Sequence, residues 1–297
     1  GLVLDTLGTS FNELCEQAPD VETHLLHIPT SRELTDQAVV EPSPAGVEGD
    51  ERGSEGPPPT GGSVYEDLLP CPFVAGPMIT DRRIFVGRAE ELEQIATRME
   101  SAQPISVNVV GERRIGKSSL LYHFFQTWEQ RVHRPGRYLV AYLSLQSAAA
   151  RTRGDFYCAV AQALLERPRV QQYPDSVTAL SRNPLRPPDF EQAMRAFRSR
   201  GLLPVLCLDE FEALLRHPDE FDDGFYDSLR TLMNESTLML VVATQEPLQE
   251  YRNRYRLTSR FFNLGHMIRL GELTDEEALA LVRLPACLLY TSPSPRD

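Results

Sequence analysis

The sequence has little of what marks a membrane, secreted or zinc-binding protein. No apolar run approaches the roughly 20 residues that a membrane-spanning helix needs, and no signal peptide is visible at the first residue. The five cysteines show no C-x-x-C spacing, so we expect free thiols rather than a disulfide framework or a zinc site. Together these absences favour a cytoplasmic location.

Positive charge is scarce as well. The 297 residues include 30 Lys and Arg against 42 Asp and Glu, which gives a formal net charge of −12. A broad nucleic-acid surface needs clustered basic residues to match the phosphates, so this balance argues against one and leaves room only for a local patch. The length is sufficient for one large domain or two smaller ones, each with its own core.

Composition separates both ends of the chain from its middle. Residues 1–40 hold two or three short elements and lack an initial Met, so we interpret them as the tail of an upstream effector domain. In residues 41–64, 11 of 24 positions are Gly or Pro, which predicts a flexible acidic linker over 41–70 because so little apolar area can be buried there. Residues 287–297 resemble the translated read-through of a sequencing adapter, and we expect them not to be native.

A phosphate-binding loop is the strongest signal in the chain. The apolar run 105–110 leads into Gly111-x-x-x-x-Gly116-Lys117-Ser118, and an amphipathic run follows, which predicts strand, loop and helix. Glycines allow the tight turn, and the helix N-terminus favours anions. Lys117 would bind the β- and γ-phosphates and the Ser118 hydroxyl would bind Mg²⁺. The loop residues expected to contact nucleotide are Gly111, Glu112, Arg113, Arg114, Ile115, Gly116, Lys117, Ser118 and Ser119.

A second motif of the same chemistry lies about 90 residues further on. The apolar run from Leu203 ends in Asp209-Glu210, the pattern called Walker B. A strand buried on both faces is continuously apolar, and ligands collect at the carboxyl ends of such strands. Asp209 would hold Mg²⁺ through its water shell, and Glu210 would orient and polarise the attacking water.

The remaining pattern predicts further strands and helices of an α/β domain. Helices are expected at 155–166 and 190–200 from their apolar faces. Five prolines in 167–188 predict an exposed connecting segment between these two helices. Thr274 and Glu277 form a capping-box pattern at the start of another helix. Five parallel strands are predicted near 105–110, 138–145, 203–208, 238–243 and 267–270.

An upstream segment carries a family resemblance. Phe85-Val86-Gly87-Arg88, with Glu91 three residues later, precedes the phosphate loop by about 20 residues. Together with both motifs, this segment resembles the STAND clade of P-loop ATPases, which are relatives of the AAA+ ATPases. The resemblance implies a three-layer P-loop NTPase core over 71–270 with strand order 5-1-4-3-2. It also implies the start of a helical lid at 271–286.

The resemblance assigns further residues to the site. Val86, Gly87 and Arg88 would help to enclose adenine. Thr244 or Gln245, at the end of the fourth strand, would sense the γ-phosphate or the attacking water. The Ser-Arg-Phe setting of Arg260 resembles an arginine finger that acts on a neighbouring subunit. The alternative for Arg260 is an ordinary surface arginine in an arginine-rich loop.

The function implied by the resemblance is an ATP-binding, Mg²⁺-dependent and slowly hydrolysing signalling switch. ATP would favour a homo-oligomer that controls a fused effector, with a sensor domain outside this sequence. An alternative is a AAA+ initiator or loader ATPase that acts on nucleic acid, which the acidic composition makes the weaker interpretation. A third possibility is a nucleotide-holding scaffold without hydrolysis, against which the intact Lys117, Ser118, Asp209 and Glu210 argue.

Overall fold

The structure, a computed structural model, describes residues 76–146, 151–263 and 265–290. The predicted upstream tail (1–40) and linker (41–70) lie outside the described residues. So do residues 291–297, which form most of the segment interpreted as adapter read-through.

A five-stranded parallel sheet forms the centre of the described part of the chain. The spatial order is β2-β3-β4-β1-β5, which confirms the predicted order read from the other edge. The interior strands are mostly apolar because helices cover both faces of the sheet, and the buried Asn108 of β1 pairs with Thr244 of β4. The strands are β1 (Val107–Val110), β2 (Tyr138–Ser144), β3 (Leu203–Asp209), β4 (Met239–Thr244) and β5 (His266–Arg269).

Eight α-helices connect and flank these strands in the described residues. Local capping explains where some begin: the Thr152 side chain accepts a hydrogen bond from Asp155 N–H, and the Asp222 side chain accepts one from Phe225 N–H. The helices are α1 (Ala89–Glu100), α2 (Lys117–Thr127), α3 (Arg153–Leu165), α4 (Pro174–Leu180), α5 (Pro187–Ser199), α6 (Asp223–Asn234), α7 (Leu248–Tyr255) and α8 (Asp275–Tyr290).

Alternate residues of β2, β3 and β4 enter two separate cores. Val109, Cys207 and Val241 pack with α1 and α2 on one face of the sheet. Leu206 and Val242 pack on the other face with an aromatic-rich set of residues from α3 to α7. This division follows from the period of two in a strand and produces the three layers that the sequence predicted.

The prediction of an exposed connecting segment at 167–188 is wrong. This segment contains a short 3₁₀ turn and helix α4, and Val170, Leu180 and Leu185 are buried. The prolines misled the prediction because Pro174 and Pro187 open helices, where a missing N–H group costs nothing.

The last described helix begins as predicted. Glu277 N–H donates to the Thr274 hydroxyl at 3.2 Å, and Thr274 N–H donates to the Glu277 carboxylate at 3.0 Å, which confirms the capping box. Helix α8 continues to Tyr290, four residues beyond the predicted limit at 286. None of the helices in the described residues is long and apolar enough to cross a membrane.

Candidate functional site

The carboxyl ends of the strands bring the two motifs to one edge of the sheet. Gly111 N–H donates to the Thr244 carbonyl at 3.3 Å, which joins the segments that follow β1 and β4. Leu145 N–H donates to the Asp209 carbonyl at 3.0 Å, which joins the ends of β2 and β3. Open parallel sheets bind their ligands at this edge.

The phosphate loop turns sharply before α2. Gly116 has φ 102° and Arg114 has φ 65°, so both lie in the left-handed region. Helix α2 then begins at Lys117 with no side-chain cap for its first N–H groups. A helix end of this kind is ready to bind an anion, and the loop can therefore receive phosphate oxygens.

The other loop residues surround this turn. Ile115 packs against Gly111, where an added Cβ would come within 2.8 Å of Ile115 Cγ2. The Ser119 hydroxyl accepts a hydrogen bond from Ile79 N–H at 3.0 Å, so it binds the backbone of the segment before α1. Three loop residues have exposed side chains, namely Glu112, Arg113 and Arg114.

Lys117 is held over the loop. Its Nζ donates to the Gly111 and Glu112 carbonyls, each at 2.7 Å. Burial lowers the pKa of this amine, and nearby carboxylates oppose that shift, Glu212 most strongly and then Asp209. The amine therefore lies in the electrostatic field of the acids at and after the end of β3.

The Asp209-Glu210 pair is fixed by neighbouring groups. Asp209 is 4% exposed, and its Oδ1 accepts from Glu210 N–H at 3.1 Å. Its Oδ2 accepts from the Tyr142 hydroxyl at 3.2 Å. Glu210 has the left-handed φ of 54°, and its carboxylate accepts from the Gln146 amide. The sequence analysis did not identify Tyr142 or Gln146 as site residues.

A third acid lies beside the pair and was also missed. Glu212 is 8% exposed, and Oε2 has no hydrogen-bond partner among the described residues. Burial raises the pKa of this carboxyl, while the Lys117 charge and the nearby Gln245 amide lower it. The only sequence signal is a second Glu in the run Asp-Glu-Phe-Glu, which the Walker B pattern does not include.

The two sensor candidates at the end of β4 differ in their surroundings. Thr244 is fully buried, and its hydroxyl lies 2.9 Å from Asn108 Oδ1 and 2.7 Å from the Glu246 carbonyl. Gln245 instead reaches the phosphate loop, since its Oε1 accepts from Arg113 Nε at 3.3 Å. Of these two side chains, Gln245 is the one in contact with the loop.

The Gly-Arg segment is tied to the start of α8. Arg88 N–H donates to Glu277 Oε1 at 2.7 Å, and the Arg88 guanidinium donates to the Gly271 carbonyl at 2.6 Å and to Glu91 at 3.1 Å. Arg88 is 7% exposed and has φ 61°. The guanidinium and the N–H of Arg88 are therefore both engaged by protein groups, and the Arg88 carbonyl accepts from Leu92 N–H at 3.1 Å, so contact of this segment with a base stays a prediction.

The residues before Gly87 lie against α2. Phe85 stacks on His123 with ring centroids 3.9 Å apart, and Val86 is half-buried beside it in the chain. The predicted base-contacting segment is thus placed by both the phosphate-loop helix and α8.

Arg260 lies away from this edge. It lines a cavity of about 190 Å³ with Ser106 and Gly265, which precede β1 and β5. This is the amino-terminal end of those strands, opposite the phosphate loop. Arg260 therefore does not belong to the group of residues around the loop of its own chain.

The side chains at the site fit a nucleotide with Mg²⁺. Magnesium prefers oxygen ligands and is usually held by one or two protein oxygens together with substrate phosphates. Ser118 is the second residue of α2, and the buried carboxylate of Asp209 ends β3, so both supply such oxygens. Lys117 and the uncapped N–H groups of α2 supply the positive charge that phosphates need.

A phosphate loop after β1 and an Asp-Glu pair after β3, on a parallel sheet of this order, define a P-loop NTPase. The chain belongs to the family described as Novel STAND NTPase 1, whose sequence profile matches residues 78–291. A comparison with curated proteins gave no match.

Solved structures share the fold, and two of them are similar over about three quarters of this chain. The chain is similar to the Walker-type ATPase of Pyrococcus abyssi, with 15% identity and a TM-score of 0.53 over 73% of this chain and 63% of that one. It is also similar to the ORC2 protein of Aeropyrum pernix in its ADPNP-ADP complexes, with 18% identity and a TM-score of 0.50 over 75% of this chain and 54% of that one. The chain thus spans less than two thirds of either protein.

Proposed function

We propose that this chain binds ATP with Mg²⁺, hydrolyses it slowly and acts as a signalling switch. The observation that carries the proposal is that the loop with Lys117 after β1 and the acid pair Asp209-Glu210 at the end of β3 lie at the same carboxyl edge of one parallel sheet. Family membership and the nucleotide complexes of a protein with the same fold support it.

Each residue has a role in this proposal. Lys117 and the N–H groups at the start of α2 bind the β- and γ-phosphates. Ser118 and Asp209 hold Mg²⁺, which supplies charge neutralisation for the phosphates when it is bound. Glu210 orients the attacking water, and Gln245 is the better placed γ-phosphate sensor because it already contacts the loop.

The switch requires that nucleotide favour one arrangement of the lid. Arg88 supports such a coupling, since its backbone lies in the predicted base-contacting segment while its N–H and guanidinium bind Glu277 and Gly271 at the start of α8. A nucleotide that moves this segment also moves the first turn of α8. ATP-dependent assembly into a homo-oligomer and control of a fused effector complete the proposal.

Thermal melting of the 297-residue chain tests the nucleotide site. ADP or ATP with Mg²⁺ at 100 times its dissociation constant should stabilise the fold by about 2.7 kcal/mol. For a domain of this size that corresponds to roughly 5–10 °C in Tm. Lys117→Ala should lose the shift, whereas Arg198→Ala, which removes an exposed cation on α5, should keep it. A shift that survives in Lys117→Ala, or none in the unmodified chain, contradicts the proposed site.

Arg260 stays a predicted finger for a neighbouring subunit. Arg260 is exposed at the amino-terminal end of the strands, so a finger role would have to be exerted on the loop of another copy. ATP turnover that is unchanged in Arg260→Ala, at protein concentrations where oligomers form, would remove this role.

A further inference from the structure

Tyr142 lies on β2 with its side chain directed towards the acid pair of β3. In the parallel register Tyr142 is opposite Cys207, so Asp209, two residues further on, is its diagonal neighbour on the same face. Such diagonal pairs are within reach of an aromatic side chain. The Tyr142 hydroxyl is 3.2 Å from Asp209 Oδ2 and 3.4 Å from Met78 Sδ.

The single hydroxyl proton goes to Asp209. A carboxylate is a much stronger acceptor than a thioether sulfur, so the bond to Met78 does not compete. The Tyr142 hydroxyl is therefore a donor to Asp209 Oδ2.

The ring of Tyr142 is fixed by the phosphate-loop helix. It meets Tyr122 edge-on at 5.2 Å between centroids and Phe125 at 6.0 Å, and both of these residues belong to α2. A rotation of the ring would break this packing. The hydroxyl is thus held in place by the same helix that begins with Lys117 and Ser118.

We propose that Tyr142 is a positioning residue that orients Asp209 for Mg²⁺ bound with nucleotide. The proposal rests on the proposed function. Asp209 has Oδ1 held by Glu210 N–H and Oδ2 held by Tyr142, so both oxygens are directed before any ligand arrives. Groups that orient a ligand of a metal in this way typically change metal affinity or activity by about 10- to 100-fold when removed.

Tyr142→Phe tests the role because it removes the hydroxyl and keeps the ring. The affinity for a fluorescent N-methylanthraniloyl-ADP is measured for the 297-residue chain with Mg²⁺ and with EDTA. We expect about a tenfold loss of affinity with Mg²⁺ and less than a twofold change with EDTA. A separate Mg²⁺ titration at fixed nucleotide should require about tenfold more Mg²⁺.

Tyr122→Phe is the matched control. Tyr122 lies in the same aromatic cluster, and its substitution keeps the ring and leaves the bond between Tyr142 and Asp209 intact, so both affinities should stay unchanged. Melting temperatures of both variants report any loss of fold.

The outcomes separate this inference from the function on which it rests. If the unmodified chain binds with Mg²⁺ and Tyr142→Phe binds equally well, the positioning role is refuted and the nucleotide site stands. Equal losses with Mg²⁺ and with EDTA also refute it, because they indicate a packing effect. If the unmodified chain binds no nucleotide, both proposals fail.

Discussion

The contact between Glu277 and Arg88 should contribute measurably to stability. Glu277 accepts hydrogen bonds from Arg88 N–H at 2.7 Å and from Thr274 N–H at 3.0 Å. Glu277→Ala removes both. It leaves the N–H of a residue that is only 7% exposed without a partner, and it leaves the first turn of α8 without its reciprocal cap.

The expected loss is about 2 kcal/mol. A hydrogen bond to a charged group contributes about 1.5–3 kcal/mol, but Glu277 is half-exposed and water can replace part of each bond. We therefore count each hydrogen bond as about 1 kcal/mol, which gives about 2 kcal/mol for the two together. For a domain of this size the corresponding drop in Tm is roughly 4–8 °C.

Thermal melting with Glu276→Ala as the control measures this loss. Glu276 is exposed and adjacent, so its substitution should leave Tm within about 1 °C, as is usual for surface sites. Hydrogen bonds from Thr274 and Arg88 N–H lower the pKa of Glu277 below its ordinary 4.5. Its contribution is therefore full above that value and is lost as the pH falls through the lower folded-state pKa. Equal Tm values for the two variants at pH 7 would refute this reasoning.

Two further predictions concern the backbone and the chemistry. In Gly265→Ala the new Cβ would lie 2.5 Å from the Ser106 carbonyl oxygen. We therefore expect the free energy of unfolding, measured in urea, to fall by about 1–3 kcal/mol. Gly271→Ala is the control and should be near neutral, because nothing lies within 4 Å of its new Cβ. Equal stability of both variants would contradict the close approach. Glu210→Gln should keep nucleotide affinity and lose at least about 100-fold in phosphate release, and turnover that is unchanged would exclude Glu210 as the residue that orients water.

The fold was predictable because its signals are local. Most strand residues are apolar, and the phosphate loop is a contiguous pattern whose glycines and lysine are required by the turn and the ligand. The capping box of Thr274 and Glu277 is also local, and its hydrogen bonds are present as expected.

What could not be predicted depends on contacts between distant parts of the chain. Arg88 and Glu277 are 189 positions apart, and nothing near Glu277 indicates that its carboxylate also binds the Gly-Arg segment. Tyr142 is an ordinary strand residue until the register places Asp209 diagonally opposite. Glu212 is buried in the structure, and nothing in the sequence around it indicates this. Composition and periodicity carry no information on such pairs.

One property of the sequence makes the central claim directly testable. Lys117 is the only lysine in the 297 residues, so labelling with [¹⁵N]lysine gives a single backbone amide resonance. That N–H belongs to the first residue of α2, where phosphate is proposed to bind. Titration with ADP and Mg²⁺ should move this resonance in a saturable way, with no comparable effect from adenosine. A resonance that stays in place at millimolar ADP and ATP would contradict nucleotide binding at this loop.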